Sequence, residues 1–581
     1  MKYLLKYLKP FIWQILIIFV LVAFRAYTEL LLPQYLGVMI SDGVGVREGS
    51  IGPDLDILFN TAITMIIICV ASIVTTIIST YFETNVASKF AAKLRNDLYV
   101  KVQSFSLEEA NKFQTSSLIT RCTNDIMQLQ NFISQSLRSV ILQPFMAIGA
   151  IILSVTLSPS LSLIVFVGVL SVAAVLILLF IYAVPKFDKI QKLMDRLNLV
   201  TRENLTGVRV VRAYNNEEEQ ISKIEVAAKD SKNLLINLNK MMAVTWPSMN
   251  LIMGISSALV IYFGIDKVMG LSSFEAADLI IMQQYTQRVF MSFMFIAMMF
   301  VMFPRAAISA RRVFDVINSK SLINDPETPE YPLNHEGIIE FQDVSFSYDN
   351  SSSKVLSNIS FVVPKNKVTA IIGSTGSGKS TLIHLIPRFF EVSSGSILID
   401  GVNVKDYKLE DLYNLIGYVP QKGILFSGTL ADNVLFSQDN FDKELLESAL
   451  DISLSKEFVD NFKEKEEYQI ARGGVNVSGG QRQRLSIARA IAKKPIIYLF
   501  DDSFSALDYQ TDKILRNNLK TTVNATILIV AQRINTIRNA DQIIVLDKGE
   551  LVGSGTHEYL LKNCEVYREI AESQLKAEEL L

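Results

Sequence analysis

At 581 residues the chain is too long for a single hydrophobic core, so two or more domains are expected. Half of it, 50%, is hydrophobic, which is high for a wholly soluble protein and suits a chain that is part membrane, part water-exposed. The formal net charge of −2 gives no general attraction to nucleic acid, and the scattered cysteines (Cys69, Cys122, Cys564) and histidines (His335, His384, His557) argue against a disulfide framework or a histidine-rich metal site.

Long uncharged runs fill the first 304 residues. Spans near 11–33, 57–80, 139–157, 161–184, 241–263 and 279–304 are each long enough to cross about 30 Å of hydrocarbon. Lys2, Lys6 and Lys9 ahead of the first run resemble the start of a signal peptide, but the run is long and five more follow, so it reads as a membrane helix. Within it, Arg25 and Glu29 lie four apart on one helix face, the spacing of a mutually neutralising pair. Residues 139–185 carry no charge, and "SPS" at 158–160 divides them into a tight helical hairpin.

Lysine and arginine fix the expected orientation. Segment 81–136 holds six and segment 185–240 holds eleven, whereas the proposed outer loops 34–56 and 264–277 hold one each, Arg47 and Lys267. Both termini are therefore expected on the cytoplasmic side of the cell membrane. The two basic segments have helical patterning and are too long for bare loops, so they predict helical arms reaching about 40 Å beyond the bilayer. In the sixth span Met291, Met294, Met298 and Met302 form one helical stripe, flexible and polarisable enough to meet varied apolar ligands or simply to pack.

After residue 304 the composition changes. A polar, proline-bearing stretch at 324–337 reads as a linker, and β-like runs then alternate with helical ones, the pattern of an α/β domain. The expected organisation is a membrane domain at 1–322, a linker at 323–336 and an α/β domain at 337–581, whose motifs point to nucleotide binding. "VTAIIGSTGSGKSTL" is a strand, a glycine loop and a helix start. In it Gly373, Ser374, Thr375, Gly376, Ser377 and Gly378 let backbone N–H groups cradle phosphates, Lys379 reaches the terminal phosphates, and Ser380 offers Mg²⁺ a hydroxyl, with Thr381 beside it. "IIYLFDD" is a buried strand ending in Asp501, placed to hold the same Mg²⁺. "VSGGQRQRLSIARA" sets Ser478, Gly479, Gly480 and Gln481 at a helix start, a second phosphate-binding element that points to another nucleotide across a dimer.

With these motifs in this order, nearly the whole chain resembles an ABC exporter half-transporter. The resemblance implies six membrane-spanning α-helices with long cytoplasmic extensions, fused to an α/β P-loop ABC nucleotide-binding domain. It implies head-to-tail dimers that sandwich two ATP molecules between each P-loop and the opposing signature turn. By the same resemblance Tyr348 stacks on adenine, Gln421 touches Mg²⁺ and relays to the membrane helices, Asp508 links the two sites, and the tips near 105–116 and 206–218 are coupling helices. The partners implied are a second homologous half-transporter, membrane lipid and a hydrophobic small molecule, with no nucleic acid.

The chain departs from that family pattern at three places. Asp502 stands where a water-polarising glutamate is usual, Gln532 where a switch histidine is usual, and Arg472 where a glutamate is common. Aspartate is one methylene shorter, so its carboxylate falls about 1.5 Å short of the attacking water. The expectation is tight ATP binding with slow hydrolysis, as in the degenerate-site subunit of bacterial heterodimeric multidrug exporters, which this chain resembles. A lipid or lipid-linked flippase, or a non-hydrolytic ATP-binding regulatory subunit, are the alternatives of the same architecture.

Overall fold

The structure, a computed structural model, describes residues 2–44, 53–269, 274–348 and 353–575; Arg47 lies outside them. The chain divides into two compact units, Met1–Gln103 with Ser116–Ser319, and Ser104–Thr115 with Lys320–Leu581.

The first unit is all helix. Among the described residues six helices are long and apolar enough to cross a membrane. The first, Ile12–Val38, packs on the second, Leu55–Gln103; the third, Ile141–Leu157, packs on the sixth, Ala276–Ile317; the fourth, Pro159–Thr206, packs on the fifth, Glu217–Met269. The expected arms are not separate pieces. The second helix runs unbroken for 49 residues and the fifth for 53, so each spans more than about 70 Å. The hairpin between the third and fourth helices is as tight as the sequence suggests: Ser158 turns to extended backbone and Pro159 opens the next helix.

As far as Glu83 the second helix has polar residues inside and apolar residues outside, and beyond it Val86, Phe90, Leu94 and Leu98 are buried. Ile66, Val70, Ile73 and Ile77 form one exposed stripe, while Thr75, Ser79 and Glu83 are buried. Water would favour the opposite arrangement, whereas hydrocarbon favours this one, because the polar groups find partners only within the bundle. Ser79 Oγ duly donates to Glu83 Oε1 at 2.7 Å.

The second unit is built on a six-stranded sheet. Its strands run in the order Glu550–Gly555, Gln542–Asp547, Val368–Gly373, Thr526–Val530, Ile497–Asp501, Ile416–Val419, parallel except for the first pair. Every residue of Ile497–Asp501 and Thr526–Val530 is buried, as expected of parallel strands covered on both faces. Ile497 and Leu499 enter one hydrophobic cluster while Tyr498 and Phe500 enter the other, the strict alternation of the pleat. A smaller antiparallel sheet (Leu356–Val363, Ile339–Phe346, Ser394–Ile399, Val402–Asn403) lies beside it. The carboxyl ends of three adjacent parallel strands therefore bring Gly373, Asp501 and Val530 to one rim, where ligands of open α/β sheets bind.

One ion pair locks the segment after that rim. Arg516, on the helix Tyr509–Thr522, donates to both carboxylate oxygens of the buried Asp512, at 2.7 and 3.1 Å, and to Thr536 O at 2.6 Å on the short helix Ile534–Ile537. Removing one partner strands the other's charge in the interior. Arg516→Ala is expected to cost the domain about 3 kcal/mol, read as a lowered thermal midpoint of the full chain.

Candidate nucleotide site

The glycine loop is shaped by close approach. A side chain on Gly373 would come within 2.1 Å of Leu546 O, so only glycine lets the P-loop strand lie against its neighbour at this point. At the crest, Gly376 has φ +84° and open space around it, a left-handed turn exposed to solvent above the sheet. Lys379 begins the following helix, and its Nζ folds back to donate to Gly373 O at 2.9 Å and Ser374 O at 2.7 Å. The ammonium is thus fixed at the loop's centre. Burial pushes its pKa down, and the carboxylates of Asp502 and Asp501 work in the opposite direction.

Ser380 Oγ donates to Asp501 Oδ1 at 2.7 Å. These are two hard oxygen ligands side by side at the strand end, the donor set Mg²⁺ takes. Behind them the sequence reading missed a contact: His384 Nε2 lies 3.5 Å from Asp501 Oδ2 and 2.9 Å from the hydroxyl of Tyr418. His384 is one helical turn beyond Ser380, a spacing that was visible in the sequence, but Tyr418 is brought in only by the sheet.

Asp502 is buried and sits in left-handed backbone, φ +48°, held there by its N–H donating to Val530 O at 3.0 Å. A single carboxylate oxygen, Oδ2, accepts from Gln421 Nε2 at 3.1 Å and from Gln532 Nε2 at 2.8 Å. Burial raises the Asp502 pKa. The Gln421 amide opposes that, Asp501 adds to it, and the Gln532 amide and Lys379 oppose it. Two of the three residues that depart from the family pattern, Asp502 and Gln532, are therefore bonded to each other, and Gln421 joins them.

Tyr348 meets Thr381, hydroxyl to hydroxyl, at 3.0 Å, and stands edge-on to Phe346 and Phe390 with ring centroids 4.8 and 5.3 Å away. Its ring is partly exposed beside the P-loop helix. Ser377 is buried within the loop, whereas Ser374 and Thr375 are exposed at its crest.

The signature residues form a separate patch. Ser478 caps the helix Gly479–Ala492: its Oγ accepts from Gln481 N at 3.2 Å and its own N–H donates to Gln481 Oε1 at 2.9 Å. Ser478 and Gly479 are exposed, and none of the contacts described joins them to the P-loop cluster. Asp508 caps the neighbouring helix through Thr511 N at 3.0 Å, which holds its carboxyl below the usual range. Gly480 lies close under this turn, where an added Cβ would be 3.6 Å from Ala506 O. Gln483, which the sequence reading did not single out, is buried and ties the signature helix to the segment around Gln421: its amide oxygen accepts from Gly423 N and its Nε2 donates to Pro420 O. Arg472 is exposed.

In the membrane unit, only Met291 of the methionine stripe lines the polar cavity formed by the first, third and sixth helices and the π-helical turn Ser136–Val140. Met294, Met298 and Met302 lie outside that lining.

Known proteins match over both halves. The family of ABC transporter transmembrane regions matches residues 15–307 and the ABC transporter family matches residues 356–505. An uncharacterised ABC transporter ATP-binding protein of Mycobacterium tuberculosis is 33% identical over 573 residues, covering 98% of this chain and 97% of that relative. This chain belongs to the ABC transporter family. The ATP-dependent lipid A-core flippase of Syntrophus aciditrophicus is 31% identical over 517 residues, 85% of this chain and 82% of that protein. A solved structure of a bacterial Atm1-family ABC exporter with ATP bound has the same fold, with a TM-score of 0.82 over 97% of this chain and 99% of that one at 21% identity. The chain is thus an exporter-type half-transporter, a multi-pass membrane domain fused ahead of one ABC ATPase domain. Such a domain implies ATP binding, and the open loop crest, the central lysine and the paired Ser380 and Asp501 oxygens fit a magnesium-bound triphosphate.

Proposed function

We propose that this ABC transporter chain is the slow half of a two-chain exporter of amphipathic small molecules across the cytoplasmic membrane. Its own P-loop site binds ATP and hydrolyses it slowly. Its Ser478–Gln481 turn completes a fast site on a homologous partner chain. The observation that carries this reading is the Asp502 carboxylate, short by one methylene and engaged on Oδ2 by two glutamine amides. A general base must reach its proton, and an acid already bonded to two donors on short reach is a poor one.

Binding rests on other groups. Lys379 and the loop N–H groups would hold the phosphates, and Tyr348 would stack on the base. Ser380 and Asp501 would hold Mg²⁺, with Gln421 beside them; the bound ion neutralises phosphate charge. Gln532 donates a hydrogen bond but carries no charge, so less stabilisation builds up as negative charge develops. The lysine and arginine asymmetry supports cytoplasmic termini and an ABC domain on that side. The tips Leu107–Phe113 and Val208–Ala213 would serve as coupling helices; the first is capped by Ser106 and Glu109, and its segment groups with the ABC unit. The flippase among the relatives favours a second reading of the cargo, in which it is a lipid.

The test is rate against composition. The chain purified alone and the chain co-purified with a homologous partner are reconstituted in proteoliposomes. The mixed complex is expected to hydrolyse ATP about 10²-fold faster than the lone chain. Equal rates would overturn the delegation. Mixed complexes that hydrolyse ATP without accumulating any cargo would point to a regulatory subunit instead.

A further inference from the structure

The membrane unit contains a charged cavity that a carrier of neutral hydrophobic molecules does not need. It has a volume of about 800 Å³, within the usual range for ligand sites. Arg25, Glu29, Arg138 and Arg288 line it, together with the side-chain amides of Gln143 and Gln284. Arg25 lies 13 residues into its helix and Arg288 12 into its own, each about 20 Å from that end, so this pair sits deep in the apolar spans, while Arg138 stands just ahead of the third helix.

The charges do not balance. Glu29 Oε1 accepts from Arg25 Nε at 2.8 Å, and Glu29 Oε2 accepts from Arg288 Nη1 at 3.0 Å, so one carboxylate serves two guanidiniums. Arg138 Nε donates to the buried Glu83 Oε2 at 3.1 Å, behind the cavity wall. Among the described residues of this cluster, three arginines against two glutamates leave one positive charge. Each guanidinium has five N–H donors in a planar fork, and the pairs described take one nitrogen from each. An uncompensated cation at this depth is costly, and water or a counter-ion must offset it. Leu142, Met146, Met291 and Phe295 also line the cavity and give it apolar surface.

The geometry points to an amphipathic anion as the cargo, its carboxylate or phosphate head among Arg25, Arg138 and Arg288 and its apolar body against Met146, Met291 and Phe295. This rests on the exporter reading and narrows it to a substrate class. Guanidinium forks recognise such heads with two parallel hydrogen bonds, whereas a cationic amphiphile would meet the surplus charge head-on.

The test measures binding without nucleotide, on the full-length transporter in nanodiscs of phosphatidylcholine, with empty nanodiscs subtracted. The probes share one chain length: oleate, monoolein and oleylamine. Oleate is expected to bind at least about tenfold more tightly than monoolein, and oleylamine more weakly than either. Arg288→Gln is expected to weaken oleate about tenfold and leave monoolein unchanged, while Arg288→Lys keeps most of the affinity. Glu29→Gln removes the shared counter-charge and is expected to tighten oleate binding, a gain that a misfolded variant cannot imitate. Displacement of oleate by phosphatidylglycerol would assign the anion to the membrane lipids; no displacement would assign it to soluble amphiphiles. Equal affinity for oleate and monoolein, or a Glu29→Gln variant that binds oleate more weakly, would overturn the proposal. ATP-driven accumulation of oleate in proteoliposomes, measured separately, tests the exporter reading itself.

Discussion

Replacing Asp502 with glutamate and Gln532 with histidine together is expected to raise ATP turnover at this chain's own P-loop site by about 10²–10⁴-fold. The paired change matters because the two side chains are bonded to each other. Asp502 Oδ2 is occupied by Gln532 at 2.8 Å and by Gln421 at 3.1 Å. Glutamate alone would extend the carboxylate by about 1.5 Å, the missing reach, but the glutamine amide would still hold it. Histidine in place of Gln532 removes that amide and adds a ring that carries positive charge when protonated. Misplacement of about 1 Å already costs about 10²-fold, so the single changes are expected to give less than the pair. A stability penalty comes with the gain, because aspartate tolerates the left-handed backbone at φ +48° better than glutamate does. Single-turnover hydrolysis and nucleotide retention on the lone chain measure the outcome. An unchanged rate in the double variant would show that carboxylate reach does not limit this site.

The parts legible in the sequence are those whose signal is local. Six apolar runs, the hairpin at Ser158 and Pro159, and the P-loop and signature motifs each lie within a few dozen residues, and their physics needs no distant partner. The Arg25–Glu29 pair was legible for the same reason, being one helical turn apart. What joins it was not: Arg288 is 259 residues from Glu29, and no periodicity encodes that meeting. The methionine stripe shows the limit of reading one helix. Its spacing is helical, yet helix packing turns only Met291 toward the polar cavity. Likewise the shared grip of Gln421 and Gln532 on Asp502 follows from three strand ends meeting at one rim.

Truncating Ser478 to alanine in this chain alone is expected to slow the mixed complex by about 10²–10³-fold, the loss typical of removing one donor aimed at developing charge. Ser478 Oγ already accepts from Gln481 N, so its own O–H is the part left to donate outward. Its exposed position at the start of a 14-residue helix sets that hydroxyl where the helix dipole favours an anion. Losing the cap costs about 1 kcal/mol of helix stability, too little to unfold the domain, so a large rate effect reports chemistry. The mirrored substitution in the proposed partner supplies the contrast. There the serine would complete only the Asp502 site, which contributes little turnover, and the rate is expected to fall less than about twofold, against about 10²–10³-fold for Ser478→Ala. Equal losses from the two chains would mean two equivalent sites. A smaller loss from Ser478→Ala than from its mirror would place the fast chemistry on this chain's own P-loop.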